Sequence, residues 1–406
     1  MDSISETIII GAGPTGLLLA NLLGSRGIVT TVLEKELPPG DRDIEGGHSR
    51  AIGVTPPSLE ILDKVGLADH LVRRGLPISG AVVHSRPLDR ERSPLGELDF
   101  QDVHERFPFI LSVPQHVTRD VLENGAARFP SLTIHYGREV VACHEDPQNG
   151  DGPVTVHCAD GSAWRARFCV AADGAHGRTG DTAGIRKRGA FYRPRFHMGD
   201  YRDGSGLGDT AHLWFTREGA VESFPLPGTQ RRWIVQLRDR EDAADLERIL
   251  RRRAGFCPDR EDKLRESAFQ PSRSEAETFH RGKLFLLGDA AHTMSPIGGQ
   301  GMNTGFGDAD LLADTLHGLL RPEEPGDPDR RGPDPGDYVR LRRRASRKAT
   351  RRAAAGMWVG TRQGVILSAV RDALVRILMR SPLRRTLARH FAMIATAKTT
   401  SGAPPR

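Results

Sequence analysis

Apolar side chains follow one another without a polar break in ETIII, residues 6–10, as expected of a parallel strand covered on both faces. GAGPTG fills positions 11–16, and LLLANLLGSRG then reads as a helix closed by Gly27. VTTVLEKE is the next strand, ending on Glu34, and completes a βαβ unit. From Ser49, SRAIGVTPPSLEILDKVGLADHLVRRG predicts a loop carrying Arg50 and an amphipathic helix from Pro57 to near Gly66. SVPQHVTRDVLENGAARF predicts another loop entering a helix, with Gln115 at the turn. LTIHYGREVVACHED and PVTVHCADGSAWRARFCVAADGAHG alternate like strands, the second folding back at Asp160 and Gly161 and ending on Asp173 and Gly174.

Between 190 and 275 the pattern changes. FHMGDYRDG and AHLWFTREGAVESFPLPGTQRRWIVQLRD alternate like a half-exposed antiparallel sheet, and DAADLERILRRRAGF is one amphipathic helix. An apolar strand, KLFLLGDAAH, and the helix NTGFGDADLLADTLHGLL then resume the first domain. RPEEPGDPDRRGPDPGD is a linker by composition, and the rest of the chain predicts two or three helices. The fold class is α/β: a Rossmann-like nucleotide-binding domain with an inserted antiparallel-sheet domain and a C-terminal helical segment. We place the nucleotide domain at 1–80, 101–185 and 276–320, the inserted sheet at 81–100 and 186–275, the linker at 321–337 and the tail at 338–406.

Composition narrows this picture. The 406 residues are 38% hydrophobic and 27% charged, and no apolar run approaches the roughly 20 residues that span a bilayer. The N-terminus lacks a basic region before its apolar run, so a cytoplasmic location is expected. Cys143, Cys158, Cys169 and Cys257 form no C-x-x-C pair and have no histidine at metal-ligand spacing; no metal is expected. From Gly336 onward there are 17 Lys/Arg against two acids, leaving 41 basic and 50 acidic residues before it. Such a tail suits nucleic acid, anionic lipid, an acidic protein or simply a solvated helical face. Without interleaved aromatics for base stacking, the solvated face is the expectation, and no nucleic-acid partner.

The chemistry lies in three motifs. In GAGPTG, Gly11 permits the tight turn, Gly13 lets a pyrophosphate approach the backbone, and Gly16 lets helix and strand pack closely. Glu34, about 20 residues on, is placed for a ribose hydroxyl. AADGAHG follows, and then GDAAHTMSPIGGQGMN, where Asp289 at a strand end beside a glycine can accept two sugar hydroxyls. The amides around Gly299–Asn303, at a helix start, can stabilise an anion.

In this order the motifs resemble the FAD-dependent aromatic monooxygenases of the para-hydroxybenzoate hydroxylase type, and among them the actinobacterial polyketide hydroxylases, over roughly residues 5 to 320. The longer polyketide hydroxylases add a thioredoxin-like domain, which is not expected in this chain. The resemblance implies that Gly11, Gly13 and Gly16 hold the FAD pyrophosphate and Glu34 the adenosine ribose, with Ala12, Pro14, Thr15 and Lys35 also binding the cofactor. Arg50 would lie in the loop beside the flavin, Arg42 would also bind the cofactor, Gln115 would reach the pyrophosphate or ribityl chain, and Asp289 would bind the ribityl and phosphate side. Pro296 and Arg50 would act at the reacting ring, with Gly299, Gly301, Met302 and Asn303 at its pyrimidine edge. Asp173 would serve both FAD and the nicotinamide cofactor, although DGAHGRTG departs from the family's usual continuation and Arg119 stands where an acid is common.

The implied reaction uses NADPH or NADH to reduce FAD, and dioxygen then forms a flavin C4a-hydroperoxide that hydroxylates an aromatic, polycyclic polyketide-type compound. A Baeyer–Villiger oxygenation or an epoxidation would use the same species. From another class, a non-catalytic flavin-binding scaffold would present its basic tail to an acidic partner such as a carrier protein; a homodimer is a further expectation. No Ser/His/Asp set is required, and His292 is expected to be structural. His212, Trp214, Phe224 and Gln236 of the inserted sheet are the candidate substrate residues.

Overall fold

The computed structural model describes residues 4–40, 51–88, 94–145, 152–238, 246–296, 299–322, 333–361 and 364–394. Its first sheet has a parallel core in the order Leu284–Leu286, Ala163–Ala171, Ser5–Ile10, Thr30–Leu33 and Leu132–His135. Val154–Cys158 pairs antiparallel with Ala163–Ala171 through the turn at Asp160 and Gly161. Helices Pro14–Gly24, Gln115–Ala126 and Gln300–Leu320 pack together against this sheet. Ile8, Ile9, Leu17, Leu18 and Phe306 are wholly buried in the resulting core.

The second sheet has seven strands and takes Gly80–His84 and Gly96–Asp99 as well as Arg195–Arg202, Ala211–Thr216, Gly219–Leu226, Gln230–Leu237 and Lys263–Phe269. Its central strands are not half-exposed, as their alternation predicts, but buried on both faces. One face holds Trp214, Val221, Trp233 and Val235 against the helix Leu246–Ala254. The opposite face, with Phe196, Met198, Leu213 and Phe224, walls a cavity. Polar residues survive this burial because they are paired: Arg231, fully buried, donates to Asp203 at 2.7 Å and Ser223 at 3.1 Å, and Arg232 binds Asp200 at 2.7 and 2.8 Å.

The tail forms helices Pro335–Gly360, Val365–Arg380 and Leu383–Phe391, and it is not only a solvated face. Asp334 caps the first by accepting from the Asp337 amide at 2.7 Å. Arg342 and Tyr338 enter the first domain's interior, while Met379, Ala388 and Ala392 pack against Leu95, Leu98 and Phe100 of the second sheet. The other cations of the first tail helix line a groove of about 960 Å³, where Arg343 and Arg347 both reach Glu275 at 2.9 and 3.0 Å.

Candidate active site

The first glycine loop is shaped by contacts that a side chain would break. Gly11 has φ +105°, and a Cβ there would lie 2.5 Å from the Ala172 carbonyl oxygen. A Cβ on Gly16 would lie 2.2 Å from the Gly11 carbonyl oxygen, so helix and loop can close only over a hydrogen. At Gly13 nothing stands within 4 Å of the same position, which leaves the helix N-terminus open to a ligand. Glu34, buried at the end of its strand, accepts from the Ala12 amide at 2.6 Å and the Glu36 amide at 2.9 Å. Arg119 bridges Glu34 at 3.5 Å, Glu123 at 3.3 Å and Glu36; the acids around it are what a cation at this position answers.

Asp289 is the one exposed side chain between Leu284 and Ser295, all the others being buried, and it opens into the cavity. The second loop ends on Gly299, whose φ of +64° places it in the left-handed region and turns the chain into the Gln300–Leu320 helix. Asn303 fixes that turn: its Nδ2 donates to the carbonyls of Gly53 at 2.9 Å and Gly299 at 2.6 Å, and its Oδ1 accepts from the Thr55 amide at 2.9 Å. Below the loop, His292 Nε2 lies 2.7 Å from Asp308 Oδ2 and Arg342 Nε donates to Asp308 Oδ1 at 2.6 Å, all three being buried. This network ties the tail helix to the loop, the structural role expected of His292.

One cavity of about 610 Å³ connects these features. Gly13, Thr15, Gln115, Asp289, Pro296 and Met302 line one end, and the wall of the second sheet lines the other. Phe391, Gly356 and Gly360 of the tail border the sheet end. Glu222 lies in the apolar wall, 8% exposed, with its carboxyl pushed up to about 7 by burial. The sequence does hold a signal for it, a lone acid at an alternate position between Ala220 and Phe224, but nothing local says which face of the strand meets a cavity.

A family model described as an FAD binding domain matches residues 5–327. The chain belongs to this FAD-binding family. It is 31% identical over 344 residues to the uncharacterized aromatic compound monooxygenase YhjG of Bacillus subtilis (strain 168), covering 79% of this chain and 63% of that one. It is also 31% identical over 327 residues to 6-methylpretetramide 4-monooxygenase of Streptomyces rimosus, covering 78% and 56%. The chain thus spans less than two thirds of the length of these relatives. The crystal structure of p-nitrophenol 4-monooxygenase PnpA from Pseudomonas putida DLL-E4 has the same fold, with a TM-score of 0.82 and 20% identity over the whole of both chains.

The residues present fit an FAD. Gly13 leaves room for a pyrophosphate at a helix N-terminus, Asp289 turns an acceptor into the cavity, and the Gln300–Leu320 helix directs its first amides toward the same space. Of the expected cofactor residues, Gly13, Pro14, Thr15, Gln115, Asp289, Pro296, Gly299, Gly301, Met302 and Asn303 line the cavity. Arg42 and Arg50 lie outside the described residues. Lys35 is exposed beside Glu34 and does not line the cavity.

Asp173 differs from expectation: its carboxylate accepts from the Thr179 amide at 3.0 Å, and the lining is left to Gly174, Ala175 and His176. A Cβ on Gly177 would lie 2.0 Å from the Asp173 side chain, so the altered motif is what lets this carboxylate fold over its own turn.

Among the expected substrate residues only Phe224 lines the cavity. His212 and Trp214 occupy the opposite face of their strand, which corrects the sequence reading. There His212 Nδ1 lies 3.0 Å from His84 Nε2, the rings stack with Trp214, and burial pushes both imidazoles down to about 4. Gln236 has the favourable parity, but its Oε1 is taken by the Ala220 amide at 3.1 Å. Leu213, Met198, Phe196, Ile234 and Glu222 are the wall residues that sequence reasoning missed.

Proposed function

We propose that the chain is an FAD-dependent, NAD(P)H-consuming monooxygenase that hydroxylates a neutral or weakly polar aromatic compound of polycyclic polyketide type. One observation carries this reading: a single cavity joins the nucleotide loops to a chamber walled by Phe196, Met198, Leu213, Phe224, Ile234 and Phe269. Gly11–Gly16 hold the pyrophosphate, Glu34 the adenosine ribose and Asp289 the ribityl chain. Bound there, an FAD reduced by NADPH or NADH would supply the activation of dioxygen, one oxygen atom of which would enter the substrate while the other leaves as water.

The protein's own part is positioning and exclusion of water. The amides at the start of the Gln300–Leu320 helix stabilise negative charge on the pyrimidine edge. Pro296, which has no N–H, presents an apolar surface to the ring. The aromatic wall and the tail residues Gly356, Gly360 and Phe391 shield the reacting centre. Hydroxylation, Baeyer–Villiger insertion and epoxidation make the same demands on these residues; isotopically labelled dioxygen and product analysis separate them.

Purified protein is expected to be yellow and to oxidise NADPH or NADH faster when phenolic polyketides are added. Absence of flavin reduction by either nucleotide with every substrate tested would support the second reading, a flavin-binding scaffold. The engagement of Asp173 with Thr179 is the observation that favours that alternative. Asp289→Ala is expected to give folded but colourless protein, because Asp289 is the one carboxylate among the described residues at the nucleotide end of the cavity. Stoichiometric FAD in the purified variant would contradict the role given to Asp289.

A further inference from the structure

The chamber is almost wholly apolar at the sheet end, yet it contains a carboxyl group. Glu222 stands between Leu213 and Ile234 on the neighbouring strands, on the face shared with Ala220 and Phe224, and it is 8% exposed. Among the described residues no hydrogen bond or ion pair engages it, and burial alone accounts for its raised titration. No Arg or Lys among the described residues lines the cavity, and the other acid there, Asp289, lies at the nucleotide end. A buried carboxyl with no partner is rare in a folded interior, where polar groups are satisfied by protein, water or ligand. Leucine or isoleucine would complete the wall without that cost, so the position is built for something that enters the chamber.

We propose that Glu222 sets substrate specificity by accepting a hydrogen bond from a hydroxyl or N–H group on a neutral aromatic ring system while excluding aromatic acids. The inference rests on the monooxygenase reading and names its substrate class. An O–H or N–H donor satisfies the carboxyl whether or not it is ionised. A second carboxylate would bring like charge beside it where no Arg or Lys among the described residues lines the cavity, and in such a low-dielectric chamber that repulsion is strong.

Titration of the flavin absorbance of the holoenzyme with 2-naphthol, 2-naphthoic acid and naphthalene tests this. The hydroxyl probe is expected to bind at least about tenfold more tightly than either of the others. E222L is expected to lose about 10- to 100-fold in affinity for 2-naphthol. E222Q, which keeps an acceptor without the charge, should hold 2-naphthol within about threefold and gain affinity for 2-naphthoic acid. Equal binding of 2-naphthol by wild type and E222L, or tighter binding of the acid by wild type, overturns the proposal. If none of the three perturbs the flavin of a fully loaded enzyme, the aromatic-site reading fails and takes this inference with it.

A second measurement needs no ligand. The folded carboxyl titrates above its ordinary value of 4.5, so the folded state holds the extra proton between about 4.5 and about 7. Stability is therefore full below that window and falls as pH rises through it. The melting temperature of wild type should decline across this window relative to E222Q. Parallel melting profiles would show that Glu222 is already satisfied without substrate and would overturn the proposal.

Discussion

Replacing Asp308 by Ala is expected to cost about 3–5 kcal/mol, a large part of the roughly 5–15 kcal/mol that holds a typical domain folded. The carboxylate is fully buried and receives His292 at 2.7 Å, Arg342 at 2.6 Å and the Gly288 amide at 3.3 Å. Burial pushes its titration up, but the adjoining His292 ring and Arg342 guanidinium more than offset this and hold it below the usual carboxylate range. Its contribution is therefore present above the unfolded value near 3.8 and is lost as pH falls through the lower folded value. In the variant Arg342 keeps only the Thr304 carbonyl at 2.9 Å as a described hydrogen-bond partner and becomes a buried charge without a counter-ion. Urea denaturation should show the full loss, and limited proteolysis should cut within Pro335–Gly360 before the rest of the chain. A change below about 1 kcal/mol would mean that the network is not what joins the tail to the first domain.

The second large effect separates two glycines that stand only three residues apart in sequence. Gly16→Ala places a Cβ 2.2 Å from the Gly11 carbonyl oxygen and 3.2 Å from the Ala172 side chain. The helix must retreat from the loop, at about 1–3 kcal/mol for such overpacking, and the loop's amides move with it. The variant should melt lower and retain little or no FAD. Gly13→Ala meets nothing within 4 Å, and the φ of −72° at that position suits alanine. It should fold as stably as flavin-free wild type yet bind FAD at least about tenfold more weakly, because the methyl occupies the approach to the helix N-terminus. Flavin content by absorbance, with melting of the flavin-free proteins, separates the two outcomes. Equal FAD retention by Gly13→Ala and wild type would remove Gly13 from the pyrophosphate site.

The loops were legible because their rules are local. A strand, a glycine turn and a helix start are set by a few consecutive residues, so the spacing in GAGPTG and the Gly288–Asp289 strand end led directly to the loops that line the cavity. Period-two alternation gave the inserted strands equally well, but it divides each strand into two faces without saying which one meets a cavity. His212 and Trp214 fell on the helix-covered face for that reason, and Glu222 passed unnoticed on the other. Gln236 shows a further limit: correct parity does not keep an amide free when a backbone N–H such as that of Ala220 is in reach.

Charge was the least readable property. Arg342 belongs to the tail expected to be a solvated face, and Arg231 and Arg232 to a strand expected to be half-exposed, yet each is buried where an acid distant in sequence meets it: Asp308, Asp203 and Asp200. By itself the sequence determined the α/β class, the order of the elements and the glycine loops, all of which follow from steric and hydrogen-bonding rules acting over a few residues. Only the tertiary structure decided which sheet face becomes the chamber, that the basic tail helps to close it, and that one unpartnered carboxyl lies in its wall. Those outcomes depend on long-range packing, which buries a face or pairs a charge only once remote segments have come together.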